Sequence, residues 1–134
     1  MMILMCAISV GLMAQPVGRF QRYLYPDGNI SSEGYLVDGK PEGHWKTFYE
    51  NGVIKSQGKR TNFQLDSTWA FYAPDGALET TIDYRDGKKN GSLKRYGADS
   101  TLLSDEQFTD DLKQGPSTSF YPDGKTKSVV VFKS

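Results

Sequence analysis

A chain of 134 residues with 16 basic and 16 acidic side chains has the length of one domain and no net charge. Proteins that bind through phosphate contacts carry a basic excess or a basic stripe, so nucleic acid is excluded as a main partner. With one histidine and one cysteine, a single chain can build neither a two-histidine metal site nor a disulfide.

Residues 1–14 (MMILMCAISVGLMA) carry no charge and are mostly apolar. A bilayer needs roughly 20 apolar residues to be spanned, so this run is short for a membrane helix. It fits the apolar core of a secretory signal peptide cleaved after Ala14, just before Gln15. A buried strand or helix is the alternative. Cys6 follows Leu4 and Met5, not the small residues of a lipoprotein site. The mature chain, residues 15–134, is therefore expected to be thiol-free and secreted or periplasmic.

Downstream, the chain repeats. Gly28, Gly52, Gly76, Ser100 and Gly124 are spaced by 24 residues, each after an Asp or Asn. Leu24, Phe48, Tyr72, Tyr96 and Phe120 form a second column, and Ile30, Ile54, Leu78, Leu102 and Thr126 a third. Trp45 and Trp69 share a column with Leu93 and Ser117, and Gly43, Gly91 and Gly115 share one with Ser67.

Within each unit, runs of aromatic and β-branched residues flank an Asn-Gly or Asp-Gly pair, the sequence signature of a β-hairpin. In Tyr25-Pro26-Asp27-Gly28 and Tyr121-Pro122-Asp123-Gly124 proline presets φ, Asp bonds locally, and glycine accepts positive φ. Ser100 in place of glycine predicts the weakest of these turns. A longer polar connection is expected over Asp38-Gly39-Lys40-Pro41-Glu42-Gly43. No linker can hold a crossover helix, so consecutive strands should be antiparallel neighbours. The expected fold is all-β: an elongated single-layer antiparallel meander of about ten strands, made of five 24-residue hairpin repeats. Strict alternation puts Trp45 and Phe48 on opposite faces. Either a bulge lies between them, or both faces carry aromatics.

The pattern in Gly43-His44-Trp45-Lys46-Thr47-Phe48-Tyr49-Glu50-Asn51-Gly52-Val53-Ile54 resembles the MORN-repeat variant of bacterial proteins. The resemblance extends from about Leu24 to the C-terminus, with Gly91, Tyr96, Gly115, Phe120, Tyr121 and Gly124 continuing it in degraded form. It implies an elongated twisted antiparallel sheet. It also implies a protein partner, through members labelled antitoxins, or a lipid surface, through eukaryotic MORN proteins. The leader argues against a cytoplasmic antitoxin.

Catalytic groups are few. The column of His44 holds Thr68, Ser92 and Pro116, so His44 reads as a strand-start residue and not a catalytic base. Asp27, Asp75, Asp99 and Asp123 form a carboxylate column that their Asp-Gly or Asp-Ser setting explains as turn formers. Asp38, Glu42, Asp110 and Asp111 gather near the other turns without the spacing of a known calcium loop. No enzyme, metal site or cofactor is expected.

The aromatics are the better candidates, because a thin sheet cannot hide 2 Trp, 8 Tyr and 7 Phe. Stacking within the sheet is the competing use for them. The candidate interaction surface is Trp45, Phe48, Tyr49, Trp69, Tyr72, Tyr96 and Phe120, with Val130 and Phe132 on the apolar last strand. That strand is expected to expose an unpaired edge for a partner chain, a second copy or the N-terminal segment. The reading is a non-enzymatic secreted or periplasmic scaffold that binds protein. A lipid-surface module and an antitoxin-like binder are the alternatives.

Overall fold

The computed structural model describes residues 18–133, and the leader expected over residues 1–14, with Cys6, lies outside them. The described chain consists of strands and turns: β1 (Arg19–Leu24), β2 (Ile30–Val37), β3 (Lys40–Phe48), β4 (Ile54–Thr61), β5 (Gln64–Tyr72), β6 (Leu78–Arg85), β7 (Lys88–Tyr96), β8 (Leu102–Thr109), β9 (Leu112–Phe120) and β10 (Thr126–Phe132). All ten join one open antiparallel sheet in sequence order, with β1 and β10 at its two edges. Substantial contacts run only between consecutive strands.

Loop chemistry enforces this order. At one end of the sheet, Tyr25, Tyr49, Ala73, Gly97 and Tyr121 each accept a bond at the carbonyl from the backbone N–H three residues on. Asp27, Asn51, Asp75 and Asp123 accept from the N–H two residues on, which tightens the bend. Ser100 takes the position of glycine at φ 58°, in the left-handed region that L side chains disfavour. Ser100→Gly is therefore expected to raise stability by about 0.5–1 kcal/mol, read as a higher urea midpoint at unchanged slope.

At the other end the chain differs from expectation. The long polar connection over Asp38–Gly43 is a two-residue turn, and Lys40 already belongs to β3. Asp38 and Gly39 have φ values of 51° and 74°, and Asn62 and Phe63, Asp86 and Gly87, and Asp110 and Asp111 are positive in the same way. Positive φ at both central residues is the type I′ geometry, whose twist matches that of the flanking strands. Gly43 is needed farther along, inside β3, at φ 72°. There β3 bulges: Gly34 pairs with Trp45 and Tyr35 with Glu42, which leaves Gly43 and His44 without partners in β2. Comparable register shifts lie between β4 and β5, β6 and β7, and β8 and β9.

The core is one row of side chains. Trp45, Trp69 and Leu93, at 7%, 6% and 6% exposure, are the buried apolar residues of the described chain. Each indole lies flat on a glycine of the preceding strand. A Cβ on Gly34 would stand 2.6 Å from the Trp45 ring, and one on Gly58 2.3 Å from the Trp69 ring. The indole N–H then donates to the next carbonyl, Trp45 to Tyr35 and Trp69 to Lys59, both at 2.9 Å. The large residue and its bare glycine form one clasp between neighbouring strands. Where the Trp column gives way to Leu93, its cross-strand partner is Ile82, and opposite Ser117 it is Glu106. Volume lost on one strand returns on the other.

Candidate binding face

Side chains two apart on a strand share a face. Trp45 and Thr47 of β3, Ser56 and Arg60 of β4, and Leu65, Trp69 and Phe71 of β5 converge with Pro41 around a largely apolar depression of about 310 Å³. The two indoles form its floor. Arg60 lies over the Trp69 ring at 5.8 Å and donates to the Phe63 carbonyl at 3.0 Å, which fixes a guanidinium beside the apolar wall. Ser56 is buried and shares a hydrogen bond of 2.6 Å with Thr47.

Towards β10 the same face becomes ionic. Lys89 covers Phe108 at 4.5 Å and Lys113 covers Phe132 at 4.8 Å, their stems shielding rings that no second layer hides. Glu106 accepts from Lys113 at 2.9 Å and from Arg95 at 3.3 Å. The Lys113 hydrogen bond holds the Glu106 carboxyl below its ordinary pKa; partial burial opposes this, and the charges of Lys113 and Arg95 reinforce it. A carboxyl depressed on folding stabilises above its unfolded pKa, and that contribution fades as pH falls through the folded value. Glu106→Gln should therefore lower the urea midpoint at neutral pH, with the gap closing below the carboxylate range. A gap unchanged by acid would contradict the pairing. Burial, and then the charge of Asp111, push the Tyr84 hydroxyl above its ordinary pKa.

The opposite face is also aromatic, which answers the parity question. Gln57 pairs with Lys46, next to Trp45 and hence on the other side, and its amide donates to the Tyr72 hydroxyl at 2.9 Å. No residue is inserted in β3 between Trp45 and Phe48; the irregularity there lies in β4, at Lys55. Phe20 and Tyr35 pack edge-on at 5.4 Å on this second face, beside Glu33, His44 and Lys46.

The residues singled out from sequence thus fall into separate places. Trp45 and Trp69 are buried as a floor. Phe48, Tyr72, Tyr96 and Phe120 are half-buried at the strand ends near the Asx-Gly turns. Tyr49 is half-buried too, and its hydroxyl donates to the Tyr72 carbonyl at 2.7 Å, as Tyr25 donates to Phe48 at 2.6 Å. Val130 and Phe132 lie exposed on the edge strand. The sequence reading passed over Gly34, Gly58, Pro41, Arg60, Leu65 and Phe71. Each of Gly34 and Gly58 stands 11 residues before its tryptophan, and this offset was the available signal.

His44 is exposed in the bulge. The Glu42 carboxylate accepts the N–H groups of Asn62 and Phe63, while Asp111 accepts that of Lys89. These carboxylates brace neighbouring turns, and Phe63 keeps φ 66° under that clamp. Among the described residues no three His, Cys, Asp or Glu side chains gather in a metal-binding group.

The MORN repeat variant matches residues 41–62 and 113–134. Both matches begin at the same phase of the sheet, near the start of β3 and of β9, and run through the strand that follows. No curated protein matches the chain. MORN repeats are generally non-catalytic units of the binding type. The model of the MORN repeat variant thus matches this chain at two places in one open antiparallel sheet.

Proposed function

We propose that the chain is a non-enzymatic scaffold of five 24-residue hairpin units, exported by its leader, that binds a protein partner through the depression over β3, β4 and β5. The observation that carries this is the depression itself: about 310 Å³, apolar and aromatic, with Arg60 at its wall. Interface cores are rich in aromatics and arginine, and a preformed concavity takes an anchoring side chain at low entropic cost. The turn columns of 24-residue spacing support the unit count, and the uncharged segment 1–14 before Gln15 supports export to the periplasm or beyond.

The experiment is a pull-down from cell-envelope extract with three baits: wild type, Leu65→Arg in the depression, and Lys46→Ala on the opposite face. Leu65→Arg is expected to reduce retention of the specific partner by about tenfold or more, while Lys46→Ala keeps it. Equal retention by all three baits would reject the depression as the site. Retention of anionic vesicles without protein would favour a lipid surface instead.

A further inference from the structure

We propose that the outer edge of β10 binds an extended acidic peptide, which joins the sheet as a further strand. The site lies apart from the depression over β3–β5 and does not depend on it. Among the described residues β10 pairs with β9 alone, so one row of its backbone N–H and C=O groups has no strand beside it. Val129, Val130 and Val131 are 54%, 54% and 58% exposed, so both faces of this edge are apolar and β-branched. In β2, β6 and β8 the column of Val130 pairs with a residue of the following strand: Gly34 meets Trp45, Ile82 meets Leu93, and Glu106 meets Ser117, while in β4 Gly58 lies at the bulge under the Trp69 ring. Val130 is the one member of that column whose next-strand neighbour is missing from the described sheet.

Charge selects the occupant. Lys125, Lys127 and Lys133 flank the valines, and no acidic residue lies between Gly124 and Ser134. A second copy paired about Val130 would set Lys127 against Lys133 at both ends of the ladder, and like charges directly opposite are destabilising. Pairing with β1 of another copy fares no better, because the only charged residues of β1 are Arg19 and Arg22. A segment with β-branched residues in the middle and Asp or Glu at its ends satisfies the backbone, the valines and the lysines together. This is recognition by strand addition, with main-chain bonds supplying affinity and the flanking charges supplying choice.

The test uses the full chain with fluorescent peptides: Glu-Val-Thr-Val-Thr-Val-Glu, its counterpart with lysine at both ends, and a version of the acidic peptide with proline at the centre. Fluorescence anisotropy should show the acidic peptide bound about tenfold more tightly than the lysine one, with the advantage shrinking as salt rises. The proline version should lose binding, and β10 amides should gain protection from hydrogen exchange when the acidic peptide is present. Lys127→Glu on the exposed β10, combined with Lys133→Glu just beyond its end, should reverse the preference. The proposal is overturned if the acidic peptide does not bind, if both charged peptides bind equally, or if the preference survives charge reversal. Dimerisation that protects β10 without peptide would overturn it as well.

Discussion

Trp69→Ala is expected to cost about 3–5 kcal/mol. The indole is 6% exposed, covers Gly58, donates to the Lys59 carbonyl and lies beneath Arg60. Its removal exposes a strip of backbone, leaves that carbonyl without its donor and takes half the floor from the depression. Among the described residues the row of buried apolar side chains has only two further members, Trp45 and Leu93, so no larger core there can absorb the loss. Urea denaturation followed by Trp fluorescence and circular dichroism measures it, with Trp45 as the remaining reporter. Partner retention should fall in the same variant, since the site and the core share this side chain.

Gly58→Ala is expected to cost about 3 kcal/mol although it removes nothing. The new methyl carbon would stand 2.3–2.4 Å from three atoms of the Trp69 ring, well inside contact distance. The ring cannot move away without breaking its bond to Lys59. If the clasp is the cause, the penalty should largely disappear once the ring is gone, so Gly58→Ala should be nearly neutral in a Trp69→Ala background. The chain itself suggests a stricter form of the test. Ile82 and Leu93 stand where a glycine and a tryptophan stand two strands earlier. Gly58→Ile alone should unfold the centre of the sheet, and adding Trp69→Leu should recover most of what was lost. Additive penalties in that cycle would remove the clasp from the explanation.

Much of the fold was legible because it rests on local chemistry. Asx-Gly turns and short linkers dictate antiparallel neighbours, and no long-range packing intervenes to override them. The type I′ turn at Asp38-Gly39 was less legible, because the polar residues after it read as linker although they form the start of β3. Polarity marks exposure, not loop, when a strand faces water on both sides. The bulge at Gly43 shows a related effect: a glycine taken for the end of a linker serves an irregularity inside a strand. The candidate site was legible in part. Trp45 and Trp69 stood out by size, yet size alone does not tell an exposed platform from a buried floor. That distinction rests on Gly34 and Gly58, which have no side chain to draw attention. Leu65, Pro41 and Phe71 meet around the depression only because three strands adjoin, a proximity that single columns do not display. The exposure of Val129, Val130 and Val131 follows from the place of β10 at the edge, which strand order makes plain.

Hydrogen exchange on the Trp69→Ala variant tests the central claim, that strands here are held by clasps to their immediate neighbours and leave both faces of an open sheet available. In a structure whose substantial contacts run only between consecutive strands, disruption should stay local. Protection should be lost in β4, β5 and β6 and kept in β1, β2, β9 and β10. Uniform loss across all ten strands would instead reveal a shared interior, and would contradict the account.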